Sequence, residues 1–419
     1  MDALPPTPLI YLILLASISI FDTAEMACAN LQHGHMWKTV REGVRQRLGD
    51  AKADSLPEAG PQRHHWHDFR PKMLDALHEL REASRDAWIA QALAQGLLAE
   101  IRKGTLVRPH RSQVITGDGT VVRPASDQTE ELTVDEKTGE VQYHRVDPDA
   151  TIQIEGGDRE IYGNRLVNFS VRGECSPHSR VILNMDTARH QSEELDPERQ
   201  EEAKVALRLA LEIRARAPGA RVAVFDKAWR GVHRGRLIRE GFLVFTRQYD
   251  GLKPQPLKKY RYEATGCAHD VYAAEGRTCE RFITVEGKTL YNPIPVREIE
   301  HRGGEESRFY HILQIPCRNG PHVERIPVYE TREDRTIDPR TKRMRFNRTE
   351  HLRIIPPVTD AGKRLTGFRQ DSESGFSTLD ETHRLRRVPA YGADGALLIY
   401  LGYAGAKNSV ALGIERRTR

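Results

Sequence analysis

The sequence predicts an α/β protein whose central elements run βββαβαβ, preceded by an all-helical region and interrupted late by a β-rich insertion. Three observations carry this. Apolar residues recur at helical spacing to about Lys103, short β-branched runs then alternate with amphipathic helices, and from Tyr249 to Pro357 strand-like runs return, separated by polar, Gly-bearing turns. The chain divides accordingly into residues 1–103, 104–248, 249–357 and 358–419, with no internal repeat.

The first region opens on an apolar run from Leu9 to Phe21, too short to span a bilayer and carrying Asp2 where a signal peptide wants Lys or Arg, so it reads as a buried helix. A second helix follows Thr23, and a third has Val40, Val44 and Leu48 at i, i+4 and i+8. Three short helices with polar turns fit a helix-turn-helix unit with its recognition helix over Trp37–Leu48, and fit a plain helical bundle equally. Asp54 to Arg63 reads as a connector, with further helices expected near Lys72–Ser84 and Ala87–Ile101.

The second region starts with a strand, Val114-Ile-Thr-Gly-Asp-Gly-Thr-Val-Val122, interrupted by Gly-Asp-Gly. A polar insertion follows, then the runs Arg165–Val171 and Arg180–Met185, a hairpin by their turn residues. Asp196-Pro197-Glu198 supplies an N-cap, a proline at the first helical position and an acid in the first turn. That helix should stop at Pro218-Gly219, its Val205, Leu209 and Ile213 sharing one buried face. Strand Arg221–Phe225, a helix over Gly231–Glu240 and strand Phe242–Thr246 complete the order. In the third region Arg281–Val285, Phe309–Ile315 and Glu324–Tyr329 read as strands. The last region returns to helix near Phe368–Arg387 and Ala396–Ala411.

Composition narrows the function. In 419 residues, 64 Lys+Arg against 59 Asp+Glu leave a formal charge of +5, and 38% hydrophobic residues with a mean hydropathy of −0.60 argue against a membrane-embedded chain. The charge is uneven: acids crowd Asp127–Asp158, whereas Arg and Lys concentrate over Arg340–Arg353. Local fields of this kind steer nucleic acid more than the total does. Five cysteines, Cys28, Cys175, Cys267, Cys279 and Cys317, are odd in number and never paired as CxxC, which favours a reducing cytoplasm over a disulfide scaffold.

Three acids stand where open α/β sheets place reactive groups. Asp118 lies between Gly117 and Gly119, where a ligand can approach the backbone closely, and Asp226 follows the carboxyl end of its strand. Glu373 lies on the late helix after the β insertion. Three converging carboxylates, roughly 4–8 Å apart, would hold two hard divalent cations such as Mg²⁺ or Mn²⁺ for an in-line phosphoryl displacement.

The order Gly-Asp118-Gly-Thr, strand-Asp226-Lys-Ala-Trp-Arg-Gly, β insertion, Arg369-x3-Glu373 resembles the DDE transposases of the IS4-like insertion-sequence group from about Arg108 to the end. The resemblance implies a ribonuclease-H-like catalytic core split by a β domain before the final glutamate, and a DNA-binding N-terminal region. It implies a metal triad of Asp118, Asp226 and Glu373, with Arg369 on a phosphate. It further implies double-stranded DNA partners (terminal inverted repeats and target), a dimer on DNA and a place on the bacterial nucleoid. The group's signature is Tyr-x2-Arg-x3-Glu-x6-Lys; here the arginine and glutamate match, whereas Thr366 and Asp380 replace the tyrosine and lysine. Asp380 would repel a phosphate. Two alternatives stay open: a metal-dependent DNA nuclease without strand transfer, and an inactive or domesticated DNA-binding derivative.

Other groups carry less. His64-His-Trp-His67 falls in the expected connector and reads as solvated loop. Cys267, His269, Cys279 and Cys317 could form a zinc site but lack CxxC spacing. Asp186 ends a strand and could add a fourth acid. The stretch Arg340–Arg348 suits phosphate contact or simple solvation. No Gly-x4-Gly-Lys-[Ser/Thr], His-Glu-x2-His or Gly-x-Ser-x-Gly is present, so the common ATPase, zinc-protease and hydrolase motifs find no support.

Overall fold

The computed structural model describes residues 8–135, 137–155, 159–173, 176–189, 201–248, 251–337, 339–340, 342, 346–383 and 386–418. It is a mixed α/β protein in two compact units, divided within its first strand: residues 1–95, 119–205 and 373–419 form one, residues 96–118 and 206–372 the other.

The first unit begins with α1 (Pro8–Phe21), α2 (Ala24–Gln32), α3 (Gly34–Leu48), α4 (Asp50–Asp54), α5 (Arg63–Asp75) and α6 (Leu77–Ala94). The run read as a buried helix is one: Ile10, Leu14, Leu15 and Ile18 of α1 are buried, each side chain contributing about 1.5–3 kcal/mol of apolar burial. Thr23 caps α2, its hydroxyl accepting from Met26 N at 3.2 Å. Trp37 of α3 is fully buried and donates to Pro57 O at 2.8 Å, so the largest side chain of the expected recognition helix serves the core.

The helices expected near Lys72–Ser84 and Ala87–Ile101 are instead α5, which already starts at Arg63, and α6 from Leu77. His64-His-Trp-His67 lies in the first turn and a half of α5, because Trp66, Phe69 and Met73 at i, i+3 and i+7 give that stretch an apolar face. His65 Nδ1 accepts from Gln62 N at 2.8 Å, so this ring satisfies the helix start.

The same unit holds the second half of β1 (Val114–Val122), the hairpin β2 (Leu132–Val134) and β3 (Val141–Tyr143), then β4 (Thr151–Glu155), β5 (Arg159–Val171) and β6 (Val181–Ala188). The polar insertion thus contains short strands of its own. β5 lies between β1 and β4 and also pairs antiparallel with β6, Val167 facing Asp186. α11 (Gln370–Thr382) and α12 (Ala393–Thr418) close the unit. α12 packs on α1, α5, α6 and β6, and its buried Asn408 brackets one residue of β6, donating to Ile182 O (2.9 Å) and accepting from Ile182 N (2.8 Å). Among the described residues α12 is long and apolar enough to cross a membrane, over Ala393–Arg416, and 56% of that window is buried within the protein. α1 and α2 reach that length only as a pair bent by 108°.

In the second unit the first half of β1 pairs parallel with β7 (Val222–Val224), which pairs parallel with β8 (Leu243–Phe245). α7 (Glu202–Arg216), whose residues up to Val205 belong to the first unit, precedes β7 and buries Val205, Leu209 and Ile213 as expected; α8 (Gly231–Arg239) joins β7 to β8. The N-cap assigned to Asp196 lies outside the described residues. Leaving aside the inserted β2–β4, the order β1, β5, β6, α7, β7, α8, β8 is the expected βββαβαβ.

The β-rich stretch makes two antiparallel sheets. One contains β9 (Gln255–Tyr262), β10 (Cys267–Ala274), β11 (Arg277–Ile283) and β12 (Thr289–Pro293) in sequential order; the other contains β13 (Val296–Arg302), β14 (Arg308–Ile315) and β15 (His322–Pro327). Their shared apolar cluster is small: Tyr260, Val271, Ile294, Leu313, Ile315 and Ile326. α9 (Arg348–His351) and α10 (Asp360–Gly367) follow. The helix expected near Phe368–Arg387 is α11; α10, which ends at Gly367, precedes it across a tight turn at Phe368-Arg369 in which Arg369 N donates to Thr366 O.

Candidate active site

The parallel register of β1 and β7 pairs Val114 with Val222 and Thr116 with Val224; extended two residues, it sets Asp118 opposite Asp226. Alternation along a strand turns both carboxylates to one face. Their carboxylate oxygens approach to within 4.8 Å, inside the range expected for shared cations. Asp118 is buried and Asp226 half-buried.

The turn after β7 is fixed from several sides. Ala228 N donates to Asp226 Oδ1 at 2.8 Å, an Asx-type turn, and the buried Trp229 ring stacks on Phe225 with centroids 4.7 Å apart. Glu350 of α9 clamps the start of α8: it accepts from Arg230 Nε and Arg234 Nη2, both at 2.9 Å, and from Gly231 N. Burial alone would raise the Glu350 carboxyl, but the charges of Arg234 and Arg230 and the Gly231 N–H outweigh it and hold it below the ordinary glutamate value. Burial pushes the Arg234 guanidinium down to about 10, which leaves it charged at neutral pH.

Arg369 stands at the start of α11 with Nη2 3.8 Å from Asp118 Oδ2, so the predicted phosphate contact lies beside the predicted metal ligand. Asp371, two residues on, is buried 3.9 Å from Arg111. Glu373 is exposed in the first turn of α11 and belongs to the first unit. Thr366 donates its hydroxyl to Gly362 O within α10. Asp380 lies in α11, its side chain outside the described residues.

One acid was missed by sequence reasoning. Glu202, the first residue of α7, accepts from Arg165 Nη1 at 2.7 Å, and its carboxylate fills the space where a Cβ at Gly119 would stand. The absence of a side chain at Gly119 lets the Glu202 carboxylate lie against the backbone there, one peptide bond after Asp118. The available signal was an acid in the first turn of the helix after the third core strand, which the reading assigned to Glu198.

The remaining groups resolve individually. Asp186 is buried 3.7 Å from Arg81 and accepts from Thr187 N, a structural pairing between β6 and α6. Arg348 is buried in a two-pronged pair with Asp334 at 2.8 and 3.0 Å, so it is withdrawn from phosphate contact; Thr341 and 343–345 of that basic stretch lie outside the described residues. Cys175 does as well. Cys279 is buried, with its thiol pushed up to about 11 by burial, whereas Cys267, His269 and Cys317 come together with His322.

No protein-family model matches the chain, and no curated protein does.

Proposed function

We propose that the protein is a DNA transposase on a ribonuclease-H-like core, cutting insertion-sequence ends and joining the freed 3′-hydroxyl to target DNA. The observation that carries this reading is the Asp118–Asp226 pair on adjacent parallel strands, with Arg369 at its edge. The βββαβαβ order and the β insertion before the last helices support it.

The donor set fits hard cations, because it offers carboxylate oxygens only. Asp118 and Asp226 would hold two Mg²⁺ or Mn²⁺ ions, which supply water activation and leaving-oxygen stabilisation when bound. Arg369 orients and neutralises the scissile phosphate. The third carboxylate is Glu373 by the Arg-x3-Glu spacing, or Glu202 by its place against Gly119. The uneven charge of the chain suits a DNA partner, and the cysteine usage suits a cytoplasmic, nucleoid location.

The test is cleavage of a duplex carrying the terminal inverted repeats that flank the gene, with Mg²⁺ or Mn²⁺. Metal-dependent nicking with joined products is expected, and loss in Glu373→Gln or Glu202→Gln assigns the third ligand. Activity surviving in Asp226→Ala overturns the reading. Cleavage without joining leaves a nuclease, and tight binding without cleavage leaves a DNA-binding derivative.

A further inference from the structure

The β insertion carries a cluster that the DNA chemistry does not use. Cys267 opens β10, His269 lies two residues on, Cys317 sits in the β14–β15 turn and His322 opens β15. One ligand atom from each lies within 4.8 Å of the other three. Cys267 Sγ is 3.1 Å from His322 Nε2, and the two imidazoles meet edge-on with centroids 5.4 Å apart.

The surroundings prepare these groups for a cation. His269 is buried; its Nδ1 is held by Glu280 Oε1 at 2.6 Å, and its Nε2 is buried without a hydrogen-bond partner. A carboxylate on one ring nitrogen fixes the tautomer that leaves the other as a metal ligand. His322 is stacked on Tyr262 with centroids 3.6 Å apart and ring planes 6° from parallel, while Tyr262 donates its hydroxyl to Glu324 at 2.8 Å. The Thr265 hydroxyl lies 2.9 Å from Cys267 Sγ, placed to donate to a thiolate. Asn319 donates to Thr265 O at 2.9 Å, tying the β14–β15 turn to the β9–β10 turn. Gly320, at φ +99°, makes the bend that returns the chain from Cys317 to His322.

We propose that Cys267, His269, Cys317 and His322 form a tetrahedral structural zinc site that staples the two sheets of the β insertion. Two thiolates and two neutral imidazoles match the preference of Zn²⁺, and the two thiolate charges balance the ion. With Zn–S near 2.3 Å and Zn–N near 2.0–2.1 Å, tetrahedral ligands stand about 3.3–3.8 Å apart, so closure needs shifts of about an ångström or less. The need is physical: the insertion's apolar cluster is small, and small cores are commonly supplemented by a metal. Binding releases the two thiol protons to solvent.

The proposal is independent of the catalytic reading, because its readout is metal content. The full chain, purified from zinc-supplemented medium, is expected to hold about one zinc per protein by elemental analysis. Replacing zinc with Co²⁺ should give the intense visible bands of a tetrahedral site and a thiolate-to-cobalt charge-transfer band. Cys317→Ser should lose both, and Cys279→Ser should keep both. Zinc-free wild-type protein with octahedral Co²⁺ overturns the proposal, as does a Cys267–Cys317 disulfide in protein kept reduced, or full zinc retention in Cys317→Ser. Where a variant fails to fold, the wild-type Co²⁺ spectrum decides.

Discussion

The acidic pair and the thiol–imidazole cluster lie in the same compact unit but are assembled by opposite strategies. Asp118 and Asp226 are brought together by one parallel register, so backbone hydrogen bonding of the sheet sets their spacing. The four soft ligands come from the start of β10 in one sheet and from the β14–β15 turn and the start of β15 in the other, and contacts from Thr265, Asn319, Tyr262 and Glu280 set their spacing. Hard and soft donors are thereby kept apart. A carboxylate site on a sheet edge stays open to a substrate and to labile cations, whereas a closed Cys₂His₂ set retains its ion.

The strongest way to break this comparison is to remove one acid. Asp226→Ala is expected to lower metal-dependent cleavage of inverted-repeat DNA at least about 10³-fold, some 4 kcal/mol of barrier, while zinc content stays unchanged. Parallel loss of zinc would mean that the two regions are not independent.

A smaller effect comes from the clamp that holds the Asp226 turn. Glu350→Gln leaves Arg234 buried opposite a neutral amide and should cost about 3 kcal/mol of stability by denaturant unfolding, the low end for a broken buried pair because one acceptor oxygen remains. Because the Glu350 carboxyl is held below its ordinary value, its contribution is complete above the unfolded-state value and is lost as pH falls through the lowered native one. The stability gap between wild type and variant should therefore be full at neutral pH and close below about pH 4. A gap that is constant across this range would show that the charge of Glu350 contributes nothing.

These two sites also mark how far the sequence could be read. Strand ends after β-branched runs, such as Val222-Ala-Val-Phe before Asp226, are local patterns, and parallel pairing of the two strands makes the aspartates neighbours without further information. The α7 face and the buried α1 were legible for the same reason. Contacts that depend on tertiary approach were not. His322 lies 55 residues from its partner Cys267, and no spacing motif announces it. Glu202 is set apart from a surface acid by its place against Gly119 and its pairing with Arg165, and neither is announced by local sequence. The α5 start was misplaced because three histidines masked the Trp66, Phe69, Met73 periodicity.

The carboxylate that holds His269 offers a milder test of the proposed zinc site. Glu280→Gln keeps the shape of the side chain but weakens the hold on His269 Nδ1, and should lower zinc affinity about 10–100-fold in competition with a chromophoric chelator. Cobalt band positions should shift little, since all four ligands remain. An unchanged affinity would remove Glu280 from the metal's environment.

The smallest effect concerns the acidic site's edge. Arg369 is placed to meet one phosphate, so Arg369→Gln should weaken binding to inverted-repeat and unrelated DNA alike and reduce the salt slope by about one. Because its guanidinium also lies 3.8 Å from Asp118, the variant removes a positive charge that competes with cations there. Mg²⁺ should then bind somewhat more tightly even as DNA binds more weakly. That pair of opposite changes separates a phosphate-gripping arginine from one that merely supports the fold, which would lower both. Zinc content, set by the β insertion alone, should not respond.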